Sequence, residues 1–341
     1  KRPMADFLSF AAGVLMSVPL LQRRWRVHRS PPGEASEAEA LSVGFRYPPS
    51  EHRKPPRLRN LVVATDLSTD GAAAVEAGAG IAERTGGKLS VISIVEAPKR
   101  QDLIHPLEPG IGEWVDSRQD RVRRRVETEL EEAGIPNALV HVAVGDPALL
   151  IAAFARTCGA GLVVIGAHRP SSFNRLLTGS TGERIVRCSS CPVMLATKSG
   201  KGPFKRILAA VDLTHISRSV LNHTREMAQF SGSKVQVVYS EEPSRDLWRS
   251  LSLSDPRSAR RRDWIRLEEL IEDTDLPGET QAIVLHGHGG RGVLHEAENW
   301  NADLIVLGIR RSRFPLNTRL GRTTRYVLRH GPRPIVVVPE N

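Results

Sequence analysis

The chain has 341 residues, 40% of them hydrophobic and 25% charged, with a net charge of +10. This balance excludes a disordered chain and leaves room for two domains, each with its own core. Three cysteines, Cys158, Cys188 and Cys191, are too few and odd in number for a disulfide scaffold and fit a reducing, cytoplasmic setting.

The first predicted element lies in residues 1–29. Phe7 to Gln22 carry no charge, with Lys1 and Arg2 before them and Arg23, Arg24, Arg26 and Arg29 after. A bilayer crossing takes about 20 apolar residues, so this run is short, and Pro19 weakens it. Three readings stay open. The segment is a membrane anchor or interfacial helix with the Arg cluster on the cytoplasmic side, a helix packed on a partner or on the chain's own domains, or a cleavable signal. Residues 30–57 read as a linker, because Pro31, Pro32, Pro48, Pro49, Pro55 and Pro56 remove donors while Glu34, Glu37 and Glu39 favour solvent.

From Leu58 onward, short apolar runs alternate with helical stretches. Strands are expected at Asn60–Asp66, Lys88–Val95, Ala138–Val144, Leu162–Gly166 and Pro192–Ala196. An Ala-rich helix to Arg84, a charged one over Glu113–Ala133, and two over Pro147–Cys158 and Ser180–Arg187 fall between them. The order then returns. Strands at Arg206–Asp212, Lys234–Tyr239, Gln281–Leu285, Ala302–Gly308 and Pro334–Val338 alternate with helices that include Ser258–Glu272 and Gly292–Asn299. Leu61-Val62-Val63-Ala64-Thr65-Asp66-Leu67 answers Ile207-Leu208-Ala209-Ala210-Val211-Asp212-Leu213, and Pro192-Val193-Met194-Leu195 answers Pro334-Ile335-Val336-Val337. A repeat this long is a duplicated domain, over 58–198 and 205–341. Alternating strands and helices make each copy an α/β, doubly wound unit on a five-stranded parallel sheet.

In such sheets ligands bind beyond the C-terminal strand ends, where the strand order reverses. That places Ala64, Thr65 and Asp66 beside Gly166 in the first copy, and Asp212 beside Gly308 in the second. The loop after Gly166 ends in Thr178-Gly179-Ser180-Thr181-Gly182, small residues whose N–H groups can cradle a phosphate at a helix start.

On these residues the chain resembles the universal stress protein family. Nucleotide-binding members of that family carry Gly-x2-Gly-x9-Gly-Ser/Thr between the fourth strand and the last helix. Gly166, Arg169, Gly179 and Ser180 fall on that spacing, with Arg169 in place of the second glycine. In the second copy Gly308, Arg311, Gly321 and Arg322 fall on it, and the second glycine and the hydroxyl residue are both lost. The resemblance implies ATP or another adenine nucleotide in the first domain, its phosphates on the glycine loop, Asp66 near the ribose or a metal, and Ile94 near the adenine. It also implies that the two domains pair through their last strands. Arg169 puts bulk where backbone would approach phosphate, or else acts as a cationic clamp. The second copy reads as structural.

Other features read blandly. Cys188-Ser189-Ser190-Cys191 has redox spacing but falls at a helix end, and His286-Gly287-His288-Gly289-Gly290-Arg291-Gly292 reads as a turn rather than a metal site. The arginines of 121–125 and 257–262 are interspersed with acids, as on solvated helix faces, and no aromatic interleaving points to nucleic acid. No catalytic constellation and no metal site stand out. The expectation is a regulatory, stress-related binding protein. The alternative is a non-catalytic accessory subunit of a membrane complex, anchored by residues 1–29 and without nucleotide.

Overall fold

Stretches of branched aliphatic residues two faces deep dictate this architecture, because a strand buried on both sides needs no polar alternation. A computed structural model describes residues 43–46, 58–96, 111–167, 181–198, 202–241, 256–277, 279–286, 289–310 and 320–340. The apolar segment 1–29, with its three readings, lies outside the described residues. After β1 (Val43–Arg46), the first domain runs β2 (Asn60–Ala64), α1 (Thr69–Thr85), β3 (Lys88–Val95), α2 (Ile111–Glu132), β4 (Leu139–Val144), α3 (Pro147–Thr157), β5 (Leu162–Gly166), α4 (Thr181–Cys188) and β6 (Val193–Ala196). The second repeats it as β7 (Arg206–Val211), α5 (His215–Ser231), β8 (Lys234–Glu241), α6 (Pro256–Glu272), β9 (Glu279–His286), α7 (Gly289–Asn299), β10 (Leu304–Ile309), α8 (Arg322–His330) and β11 (Ile335–Pro339).

Each domain orders its five parallel strands alike, β4-β3-β2-β5-β6 and β9-β8-β7-β10-β11. The two layers are joined. β6 and β11 pair antiparallel, Val336 opposite Met194 and Val337 opposite Val193, so the last strands meet as expected and one sheet of 11 strands runs through both domains. Alternate residues feed two cores. Leu61, Val63, Met194 and Val336 enter one with α1, α2, α5 and α6, while Val62, Val163, Val193 and Val337 enter the other with α3, α4, α7 and α8.

The two outer edges end differently. Within the stretch read as linker, Val43–Arg46 forms β1 and pairs antiparallel with β9, Val43 opposite Ala282 and Arg46 opposite Glu279. At the other end, α2 reaches over β4: Arg123 Nη1 donates to the Val140 carbonyl and Gln119 Nε2 to that of Val142, each at 3.1 Å. These alternate carbonyls face away from β3 and would otherwise await a strand.

Helix starts follow their caps. Ser68 Oγ accepts from the Gly71 amide at 3.1 Å, and Asp146 Oδ1 accepts from that of Leu149 at 3.1 Å. Asp146 also takes Arg184 Nη2 at 2.7 Å, which ties α3 to α4. The Arg184 guanidinium and the Leu149 amide hold this carboxyl below its ordinary range. A depressed folded-state value means the stabilisation exists at neutral pH and fades as the pH falls through the carboxylate range. Asp146→Ala is therefore expected to cost about 1 kcal/mol in urea unfolding at pH 7, a gap that closes in acid.

Candidate functional site

The strand order reverses between β2 and β5 in the first domain and between β7 and β10 in the second, so the crevice of each lies at those C-terminal ends. In the first domain Ala64 lies opposite Ile165, which brings Thr65, Asp66 and Gly166 together as the topology predicts. Ile94 lies two residues beyond Ile92, the β3 residue opposite Ala64. Thr181 opens α4. Arg169, Gly179 and Ser180 lie outside the described residues.

The turn after β2 is built around its polar side chains. Leu67 takes φ 61°, and Leu213 takes φ 56° at the same place in the other copy, a left-handed conformation costly for a leucine. The kink lets Asp66 Oδ1 accept from Ser68 N at 3.0 Å and from the Ser68 hydroxyl. Thr65, 4% exposed, accepts from Leu67 N at 3.1 Å and donates to Glu129 Oε2 at 3.3 Å. Burial pushes the Glu129 carboxyl up, and the nearby Asp66 and Glu132 add to this. The Thr65 hydroxyl and Arg125 pull the other way. Among the described residues no donor reaches Asp66 Oδ2.

Small residues let α1 come close. A Cβ on Gly71 would stand 2.6 Å from Thr65 Oγ1 and 2.7 Å from Asp66 Oδ1. One on Gly166 would stand 2.5 Å from the backbone of Asp70. Gly166 thus makes room for the first turn of α1, a reason for glycine separate from phosphate approach.

The second domain differs in its charges. Asp212 Oδ1 accepts from Thr214 N at 3.0 Å, Thr214 Oγ1 at 2.6 Å and Ser217 Oγ at 3.0 Å, while Oδ2 accepts from Arg310 Nη2 at 3.0 Å. Burial alone would raise this carboxyl; the Thr214, Arg310 and Ser217 donors overcome it and hold it low. The crevice is a cavity of about 460 Å³ lined by Ile216, Val220, Val293 and Leu307 on its apolar side and by Asp212, Arg310 and the start of α8 on its polar side. Ser240 stands where Ile94 stands in the first copy, and its hydroxyl donates to the Gly289 carbonyl at 2.9 Å.

Sequence reasoning missed Glu129, Arg310 and Ser68 as parts of these crevices. Only Glu129 left a trace: it interrupts, at helical spacing, the apolar stripe of Val122, Val126 and Ala133. Among the described residues no three His, Cys, Asp or Glu gather as a metal site, and no helix is long and apolar enough to cross a membrane.

The universal stress protein family model matches residues 57–197 and again 203–339. A universal stress protein of Methanocaldococcus jannaschii is 27% identical over 148 residues, 42% of this chain and 84% of its own length. One from Synechocystis is 24% identical over 152 residues, 40% of this chain and 97% of its own. A crystal structure of a universal stress protein from Archaeoglobus fulgidus superposes with TM-score 0.63 at 21% identity, covering 83% of this chain and 99% of that one, a likeness of fold. Two matches in tandem, over most of the chain, establish that it belongs to the universal stress protein family.

Proposed function

We propose that this is a regulatory, stress-type binding protein that senses an adenine nucleotide in its first domain and does not turn it over. One observation carries the reading: Asp66 stands at the β2–β5 crevice with Oδ2 met by no donor among the described residues, whereas Asp212 has both oxygens occupied. An open carboxylate oxygen can accept from a ribose hydroxyl or meet a metal carried by the nucleotide. Ala64, Thr65, Ile94, Gly166, Arg169, Gly179, Ser180 and Thr181 would complete the site, with Arg169 as a cationic clamp.

The test is equilibrium binding of ATP, ADP and AMP, each with magnesium, to the full chain, with released phosphate followed in parallel. One nucleotide per chain is expected, weakened at least about tenfold in Asp66→Ala by loss of an interaction with a charged group. Absence of saturable binding, or steady hydrolysis, would sink the reading. The uncharged run Phe7–Gln22 with its following arginines supports a second one, an accessory subunit held at a membrane by residues 1–29. Membrane fractionation that is lost on deleting 1–29, from protein empty of nucleotide, would favour it.

A further inference from the structure

Counted back from the aligned Pro192 and Pro334, Glu183 of α4 answers Arg325 of α8, and Arg187 answers Arg329. The two helices pack on the same side of the sheet, Ile185 and Val186 from α4 and Val327 and Leu328 from α8 entering one core. Arg184 turns to α3, where it pairs with Asp146, and Tyr326 turns to α7, against Gly290. Successive helical residues stand about 100° apart, so Glu183 and Arg325, each one residue earlier, lie on the other flank of their helices. Arg187 and Arg329 follow one turn later on that flank. These flanks face the seam where β6 and β11 pair.

The charge along the seam does not balance. Arg187 Nη2 pairs with the buried Glu183 one turn before it. Arg325 Nη2 reaches the Leu320 carbonyl at a long 3.4 Å, and among the described residues no carboxylate pairs with Arg325 or Arg329. The chain around α8 has none to give, since residues 304–339 hold eight arginines and no Asp or Glu. Three guanidinium groups therefore meet one carboxylate. In all three the Nε–H is buried without an acceptor. The seam residues Val193, Ile335 and Val337, buried on the same side of the sheet, offer no polar side chain. A donor shut from water and left unmet is costly, so these side chains gain by turning onto an acceptor from outside.

We infer that the seam between α4 and α8 binds a doubly charged tetrahedral oxyanion, inorganic phosphate or sulfate, held by Arg187, Arg325 and Arg329. Two of the three positive charges have no carboxylate, which matches a dianion, and guanidinium forks grip such oxyanions with paired N–H donors. The Arg187 side chain is 28% exposed, so a solute can reach it while much of its charge stays out of water and is screened less. An anion seated there joins α4 of the first domain to α8 of the second. None of the three arginines lines the second-domain cavity or belongs to the nucleotide site proposed for the first, so the two readings stand or fall separately.

Sodium sulfate, sodium phosphate and sodium nitrate serve as probes, titrated calorimetrically into the full chain at matched ionic strength. One sulfate or phosphate per chain is expected, each at least about tenfold tighter than the singly charged nitrate, and the tighter of the two names the ligand. Saturation separates a site from the general stabilising effect of these salts. Arg325→Gln and Arg329→Gln should each weaken the dianions about tenfold or more. If one variant fails to fold, the other carries the test. Arg218→Gln removes the same charge from α5, on the other side of the sheet, where Arg218 pairs with Asp273; it should leave the affinity unchanged. Four results would each overturn the inference: no saturable binding, nitrate as tight as the dianions, affinity indifferent to both seam arginines, or an equal loss in Arg218→Gln.

Discussion

Met194→Ala is expected to lower stability by about 3 kcal/mol and to split thermal unfolding into two steps. Met194 is fully buried and lies opposite the equally buried Val336, at the centre of the seam between the domains. That seam aligns only Val193, Met194 and Leu195 with Val337, Val336 and Ile335. A ladder this short holds by its side chains more than by its hydrogen bonds. Truncating the central methionine leaves a void that α1 and α5, which touch across the junction, cannot fill without moving. The core cluster around Met194 runs through both domains, so the loss falls where its two halves meet. Met194→Leu, which keeps volume, should cost less than about 1.5 kcal/mol and retain one transition. Calorimetry that finds a single unshifted peak for Met194→Ala would show that the seam does not couple the domains.

Gly166→Ala should cost about 2 kcal/mol and also weaken the nucleotide binding proposed for the first domain. Alanine is ordinarily no worse than glycine in a strand. Here the added carbon would stand 2.5 Å from the carbonyl carbon and oxygen of Asp70, and backbone cannot step aside as a rotamer can. The start of α1 must move, taking with it the Ser68 cap and its bonds to Asp66. The matching Gly308→Ala meets only side-chain atoms, Ile216 at 3.0 Å and Val220 at 3.1 Å, and should cost about 1 kcal/mol or less. Equal losses at the two positions, in chemical denaturation, would refute the backbone argument.

What the sequence made legible follows from how local the physics is. Strands buried on both faces announce themselves as aliphatic runs, so β2, β3, β5 and β7 begin where expected, and duplication supplied each twice. The start of α7 was less legible. The expectation set it at Gly292, with the glycines before it read as turn, yet the helix begins at Gly289. Gly290 lies inside it because a Cβ there would stand 2.8 Å from that of Tyr326 on α8; close packing, not turning, is what the glycine serves. β1 could not be read, since four residues among prolines gain their pairing from β9, far along the chain. The same limit governs the crevices. Strand-end topology brings Asp66 to Gly166, but the Thr65–Glu129 bond and the Arg310–Asp212 pair join elements that no local pattern links.

The way the sheet finishes has a consequence for how copies of the chain can meet. The short strand β1 is itself one outermost strand, and Arg123 and Gln119 occupy two acceptors of the other. The one strand-to-strand junction that could have recruited a second molecule is closed within the molecule by β6 and β11. Strand addition at β4 would have to displace the Arg123 and Gln119 side chains, while the outer side of the four-residue β1 is the short edge that is left, so a long ladder between copies is disfavoured at either end.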